Sequence, residues 1–238
     1  MTTDVTIVIG SLEETEEAVQ RFAHRGFKTF KVKIGQDQAL DFKRILAVRR
    51  IAPESTIILD ANQSFTAEGM LKFLRRLRVK GIRPALIEQP VPKKDWEGLK
   101  TITHELKISG TLVCADESVG NFSEAAYAIQ IGAVSAINVK FMKSGIFESA
   151  EIARLAKAKG IKLMIGAMME SALSITAAAH FAAGVGGFNF VDLDTTFFIK
   201  GDLAHSPYLD GRGRFDLTDS GPGIGIEIGK TGKVKGEA

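Results

Sequence analysis

The sequence predicts a closed eight-stranded α/β barrel of the TIM type, (β/α)7β in arrangement, and three observations carry that prediction. Its 238 residues lie close to the ~250 usual for such a barrel. Short apolar runs alternate with longer stretches of helical period, the sequence form of repeated βα units around a parallel sheet. The units follow one another with no obvious switch in strand order, which favours a closed barrel over an open, doubly wound sheet.

The strands are expected at residues 5–9, 29–34, 56–59, 85–87, 112–115, 136–139, 163–165 and 188–191. Helices fit between them. Ser11 and Glu14 form an S-x-x-E capping box ahead of Val19, Phe22 and Ala23. Met70, Phe73, Leu74 and Leu77 stand at i, i+3, i+4 and i+7, which leaves Arg75 and Arg76 on the wet face. Gly26, Gly81, Gly132 and Gly160 each close a helical stretch, as a C′ residue of positive φ does. Eight strands and seven helices account for residues 1–200, within a single domain over 1–238. The Gly-rich segment 201–238 gains no element from pattern.

Composition narrows the partners. With 45% hydrophobic and 25% charged residues the chain is neither disordered nor collagen-like. Thirty-one Lys and Arg against 28 Asp and Glu leave a net charge of +3, evenly mixed, with no aromatic-interleaved basic stretch to bind nucleic acid. A small molecule is the expected partner, and a homo-oligomer is compatible with the sequence. The single thiol, Cys114, rules out an internal disulfide or a CxxC metal site and fits a reducing cytoplasm. Residues 1–4 lack the features of a signal peptide. Residues 171–191 carry no Asp, Glu, Lys or Arg, but His180, Asn189 and three glycines interrupt them, so a buried helix running into a strand is expected rather than a membrane span. The four histidines show no ligand spacing, and Trp96 is expected to pack at a helix start.

The informative charges sit at strand ends. Strands three, four, five and six deliver Asp60, Glu88, Asp116 and Lys140 at or just past their C-terminal ends, with the three carboxylates at 28-residue intervals. In a barrel those positions converge on one mouth, where active sites lie. Any one carboxylate could simply cap the following helix. Three in register would repel one another unless a cation neutralised them. An all-oxygen set suits Mg²⁺, with Mn²⁺ as substitute, better than zinc. Strand two, Phe30-Lys31-Val32-Lys33-Ile34, places both lysines on one face. Barrel strands are buried on both faces, so these lysines must meet anions. Lys33 and Lys140 come from opposite sides of the ring and could flank a substrate held on the metal.

Together Lys31-Val-Lys33, Leu-Asp60-Ala-Asn62-Gln63, Ile-Glu88-Gln-Pro90, Ala-Asp116-Glu117-Ser118 and Asn138-Val-Lys140 resemble the barrel domain of the enolase superfamily, in its muconate-lactonizing subgroup. The resemblance runs from about residue 3 to 225. It implies Mg²⁺ on Asp60, Glu88 and Asp116, supported by Asn62 and Glu117. It also implies Lys33 and Lys140 as the acid/base pair and Lys31 beside a substrate carboxylate, the Lys-base-with-Mg²⁺ pattern general to this superfamily. Asp192-Leu-Asp194 resembles the D-x-D motif of dipeptide epimerases, which holds a substrate α-ammonium, and Thr6 matches a position that faces substrate there.

The resemblance implies an isomerase, an epimerase or racemase that moves the proton α to a carboxylate, most closely on a dipeptide. The same residues also serve an N-acylamino acid racemase or an o-succinylbenzoate-type dehydratase. The family carries an N-terminal α+β capping domain, whereas this sequence starts at the first barrel strand, so a capless barrel that binds metal without turnover is a third expectation. Lys143-Ser-Gly145-Ile146 has one glycine where the family often has two, and Met168-Met169-Glu170-Ser171 resembles the strand-seven loop without an assigned role. Gly221-Pro-Gly223-Ile-Gly225 resembles the segment that returns toward the cap and lacks the context of a nucleotide fingerprint.

Overall fold

The structure, a computed structural model, describes residues 1–202, 204–227 and 229. Its elements are β1 (Val5–Ile7), α1 (Leu12–His24), β2 (Thr29–Lys33), α2 (Gln38–Ile51), β3 (Thr56–Asp60), α3 (Ala67–Val79), β4 (Leu86–Glu88) and α4 (Trp96–Leu106). They continue through β5 (Leu112–Ala115), α5 (Phe122–Gln130), β6 (Ala136–Val139), α6 (Phe141–Ala158), β7 (Lys162–Gly166), α7 (Ala172–Val185) and β8 (Phe188–Asp192), followed by a 3₁₀ turn, Thr195–Phe197. All eight strands pair in sequence order and in parallel. The ring is nearly closed: the Asp4 N–H donates to Val191 O at 2.8 Å, and the Thr3 hydroxyl accepts from Leu193 N–H at 2.8 Å.

Strand alternation builds two cores. Residues pointing outward, among them Val5, Phe30, Val32, Ile57, Leu59, Ile87, Val113, Ile137 and Ile165, pack with the helices in one large cluster. Residues pointing inward, Ile58, Leu86, Cys114, Ala136 and Met164, with Phe190 against them, form a separate layer that fills the barrel. This explains strands that are apolar on both faces.

The next inward positions, two residues further along the same strands, are Asp60, Glu88, Asp116, Asn138, Gly166 and Asp192. A polar layer therefore sits directly on an apolar floor, and the pairing Lys33↔Asp60↔Glu88 holds its members side by side.

Local expectations fare well. The Ser11–Glu14 capping box forms, with Glu14 N–H donating to Ser11 Oγ at 3.1 Å and Ser11 N–H to Glu14 Oε2 at 2.7 Å. Met70, Phe73, Leu74 and Leu77 are buried, and Arg75 and Arg76 are exposed. Gly26, Gly81, Gly132 and Gly160 have φ of 98°, 73°, 69° and 70°. Trp96 opens α4 and meets Tyr127 edge-on, with ring centroids 5.3 Å apart. Strand one is shorter than expected: it stops at Ile7, because the carbonyls of Ile7 and Val8 accept from the Arg44 guanidinium. Strands three, four and eight instead run on to include their carboxylates.

Part of the Gly-rich segment also has structure. Asp216 N–H donates to Tyr208 O at 2.9 Å and Asp210 N–H to Arg214 O at 3.0 Å, making a tight return. That return lies along the chain start, through Thr3 N–H to Gly213 O at 2.9 Å and Phe215 N–H to Met1 O at 2.8 Å.

Candidate active site at the barrel mouth

Asp4, Asp60, Glu88, Asp116, Asp192 and Asp194 are buried in the mouth region. Four lysines meet them. Lys31 Nζ lies 2.7 Å from Asp192 Oδ2, 2.8 Å from Glu88 Oε2 and 3.2 Å from Asp60 Oδ2. It was expected beside a substrate carboxylate, and here it sits among three carboxylates of the protein. Lys33 Nζ donates to Asp60 Oδ2 at 2.9 Å and to Asn62 Oδ1 at 2.7 Å, and it is the most open of the four, with a side chain 33% exposed. Across the ring, Lys140 Nζ donates to Asp116 Oδ2 at 2.7 Å and stands 4.0 Å from Glu88 Oε1.

Glu117 Oε1 accepts from Asn62 Nδ2 and Gln63 Nε2, each at 3.3 Å. Thr6 enters through its backbone, whose N–H donates to Asp194 Oδ2 at 2.6 Å. Every residue expected at the site is thus in the same mouth.

Several supporting groups carried no role in the sequence reading. Lys143 Nζ donates to Asp116 Oδ1 at 2.9 Å, Asp116 O at 2.7 Å and Asn138 O at 2.8 Å. Asn138 Nδ2 donates to Glu88 Oε1 at 2.7 Å. A Cβ on Gly166 would lie 2.4 Å from Asn138 Oδ1, so the glycine keeps room for this amide. Gln89 joins two strand ends, donating to Ser118 Oγ at 2.7 Å and accepting from the N–H groups of Asp116 and Ser118 at 3.0 Å. Asn62, Gln63 and Gln89 all have positive φ, at 42°, 70° and 35°. Non-glycine residues avoid that region, and such strain clusters at functional sites.

Charge decides the protonation states. Burial pushes Glu88 up to about 7, against the pull of Lys31. Burial would also raise Asp60, but the Lys31 and Lys33 ammonium groups outweigh it and hold the carboxyl below its ordinary range. At Asp116 burial is outweighed by Lys143 and Lys140, so the carboxyl is held far down. Lys140 is held above the ordinary lysine range: burial would depress it, but Glu88 and Asp116 attract its charge more strongly.

Asp60, Glu88 and Asp116 offer only hard oxygen donors, and the buried Glu88 Oε2 is met by the Lys31 ammonium at 2.8 Å. Lys31 and Lys140 stand against these carboxylates as cations would. The residues therefore fit a divalent ion with oxygen preference. A second acidic group lies close by: ligand oxygens of Asp4, Asp192 and Asp194 are all within 4.8 Å of one another, a spacing that can also hold a cation. A cleft of about 770 Å³ at the opposite end of the barrel, lined in part by Thr111, Ser135 and Lys162, has no comparable cluster of carboxylates. Among the described residues no helix is long and apolar enough to cross a membrane.

Residues 13–231 match the enolase C-terminal domain-like family. The chain belongs to that family. As an enolase C-terminal domain-like chain it is 66% identical over 225 residues to a hydrophobic dipeptide epimerase of Citrifermentans bemidjiense, covering 94% of this chain and 61% of that protein. The L-Ala-D/L-Glu epimerase of Bacillus subtilis, solved as a substrate-liganded complex, superposes with a TM-score of 0.88 at 34% identity, over 95% of this chain and 63% of that one. A dipeptide epimerase of Enterococcus faecalis, solved with Mg and the dipeptide L-Leu-L-Tyr, gives 0.87 at 32% identity, over 95% and 63%. The chain thus spans about six-tenths of the length of these dipeptide epimerases of the mandelate racemase/muconate lactonizing subgroup.

Proposed function

We propose that this chain is the catalytic barrel of a Mg²⁺-dependent dipeptide epimerase that inverts the α-carbon of the C-terminal residue. The observation that carries the reading is the placement of Lys33 and Lys140 on opposite sides of one carboxylate cluster. An α-proton can then leave to one face and return from the other. Asp60, Glu88 and Asp116 would hold Mg²⁺, and Asn62 and Glu117 would support that set. Mn²⁺ satisfies the same donors. When bound, the ion supplies positive charge where the enediolate oxygens gain negative charge.

The lysines move the proton. Lys140 keeps its proton here because Glu88 and Asp116 face it. With Glu88 and Asp116 engaged in holding a divalent ion, Lys140 would have less carboxylate charge favouring its protonated form and would be better placed to act as the neutral base. Lys33, ion-paired to Asp60, serves the other face. Asp192 and Asp194 would receive the dipeptide's α-ammonium beside Thr6, and Lys31 would add positive charge near the substrate carboxylate. The substrate is a small molecule, and the lone buried thiol Cys114 fits a cytoplasmic setting.

The test is solvent-deuterium uptake into a dipeptide library, with and without Mg²⁺. The expected result is Mg²⁺-dependent exchange of the C-terminal α-proton, with Lys33→Ala and Lys140→Ala each losing epimerisation by roughly 10²–10⁴. Exchange in N-acylated amino acids but not in free-amine dipeptides would instead establish the acylamino acid reading. Asp192→Ala separates the two again, since only an enzyme that binds an ammonium loses affinity with it.

A further inference from the structure

Asp4 is the buried group that the chemistry above leaves unused. Its side chain points into the barrel, and the residue is 2% exposed. Neither carboxylate oxygen has a hydrogen-bond partner among the described residues. A buried carboxyl without partners is costly, and protein interiors rarely keep one.

Its neighbours make the cost larger. Oxygens of Asp192 and Asp194 lie within 4.8 Å of an Asp4 oxygen, and among the described residues these three acids have one ammonium in contact, Lys31 on Asp192. Thr6 also donates to the cluster, its N–H meeting Asp194 Oδ2 at 2.6 Å. Burial and the nearby Asp192 and Asp194 push the Asp4 carboxyl well above its ordinary range. Such a group is an acceptor waiting for a compact donor that brings positive charge. Lys31 shows what fits, since its primary ammonium reaches Asp192 at 2.7 Å. A second primary ammonium, with three N–H groups, matches three carboxyls that converge from β8 and the start of β1.

We propose that Asp4 is a third carboxylate of a primary-ammonium site, closing the Asp192–Asp194 pair from the β1 side and selecting ligands by a free amine. The dipeptide reading above names the substrate that carries this amine, but the charge and geometry of the site stand apart from that reading.

The experiment follows the thermal midpoint of the full chain in methylammonium chloride and in tetramethylammonium chloride at equal ionic strength. A ligand bound only by the folded state raises the midpoint by mass action. Wild type should be stabilised by methylammonium, which has three N–H donors, and not by tetramethylammonium, which has none. Asp4→Asn and Asp4→Leu should each abolish that difference while melting no lower than wild type. The proposal is overturned if the variants keep the wild-type difference, if wild type shows none, or if both variants melt lower, which would make Asp4 structural. It is equally overturned if the variants lose stabilisation by Mg²⁺ instead, which would make the cluster a metal site. None of these readouts needs turnover, so failure to exchange dipeptide α-protons would count against the proposed activity alone. Where dipeptides do turn over, Asp4→Asn should raise KM about tenfold with kcat little changed.

Discussion

Lys143 shows how a site depends on a residue that never faces the reaction. Its ammonium joins the Asp116 carboxylate to the carbonyls of Asp116 and Asn138, so it fixes both the charge and the direction of one carboxylate of the cluster. Lys143→Met leaves those acceptors short of a donor. A loss of about 3 kcal/mol in denaturant unfolding is expected, the low end for breaking a buried ion pair, because Lys140 still meets Asp116. A change under 1 kcal/mol would mean that Lys140 alone suffices.

At this scale the sequence was most legible where a charge ended an apolar run, as with Asp60, Glu88 and Asp116. Lys143 was hidden because it lies past the strand, in a Lys-Ser-Gly stretch that reads as a loop. Asp4 was hidden because Thr3-Asp4 reads as a polar lead-in to Val5. A second lysine three residues after Lys140 was the one available signal for the first. For Asp4 the signal was its even spacing from Thr6, which puts both on the same face.

Among the elements, α2 does more than cover the sheet. Its Arg44 is fully buried and donates to Thr15 Oγ1 of α1 at 2.8 Å, to Lys33 O of β2 at 2.8 Å and to Asp41 Oδ1 at 3.1 Å. It also reaches the Ile7 and Val8 carbonyls at the end of β1. One guanidinium thus ties two helices to two strand ends, one of which bears Lys33. Arg44→Met should destabilise the fold by about 3–5 kcal/mol, because Asp41 and several carbonyls lose a buried partner. If unfolding in urea changes by less than 1 kcal/mol, the tie is dispensable.

Strand positions were readable because the inner layer, Ile58, Leu86, Cys114, Ala136 and Met164, makes the inward face apolar below the charges. Their ends were not, because hydrogen bonds from side chains such as Arg44 decide where pairing stops. Gly145 is another such case, with φ 65° and ψ −179° inside α6, a conformation that interrupts the helix and that no helical period reveals.

Over the whole molecule, the mouth makes stability depend on pH in a defined direction. Glu88 and Asp194 are raised to about 7, from ordinary values of 4.5 and 3.8, burial being the main cause at each. A raised carboxyl keeps its proton longer in the folded chain than in the unfolded one. Its contribution is therefore full below about 4 and falls away as pH climbs through about 7. Asp60 and Asp116 are shifted the other way, and their contribution is lost only as pH falls below the ordinary carboxylate range. Between pH 5 and 8 the metal-free protein should lose stability as pH rises. Mg²⁺ requires the ionised Glu88 and should restore more at pH 8 than at pH 5. Thermal melts at both pH values, with and without Mg²⁺, check this, and equal Mg²⁺ effects at the two would count against metal binding at Glu88. The overall architecture was readable from periodicity, but the return at 208–216 was not, because its few bridges, such as Leu209↔Phe215, leave no repeat to detect.

The seam between β8 and β1 bears on how the chain reaches this fold. Among the described residues each of the seven strand pairings joins sequence neighbours, whereas the Thr6–Asp194 contact spans 188 residues. Pairing of neighbours has low contact order and can proceed as the chain is synthesised, but the seam has to wait for strand eight. Asp4, Asp192 and Asp194 lie along that seam, while Asp60, Glu88 and Asp116 stand at the ends of the consecutive strands β3, β4 and β5. The strands bearing Asp60, Glu88 and Asp116 can thus pair early in folding, and the acidic group of Asp4, Asp192 and Asp194 is the last part of the mouth to come together.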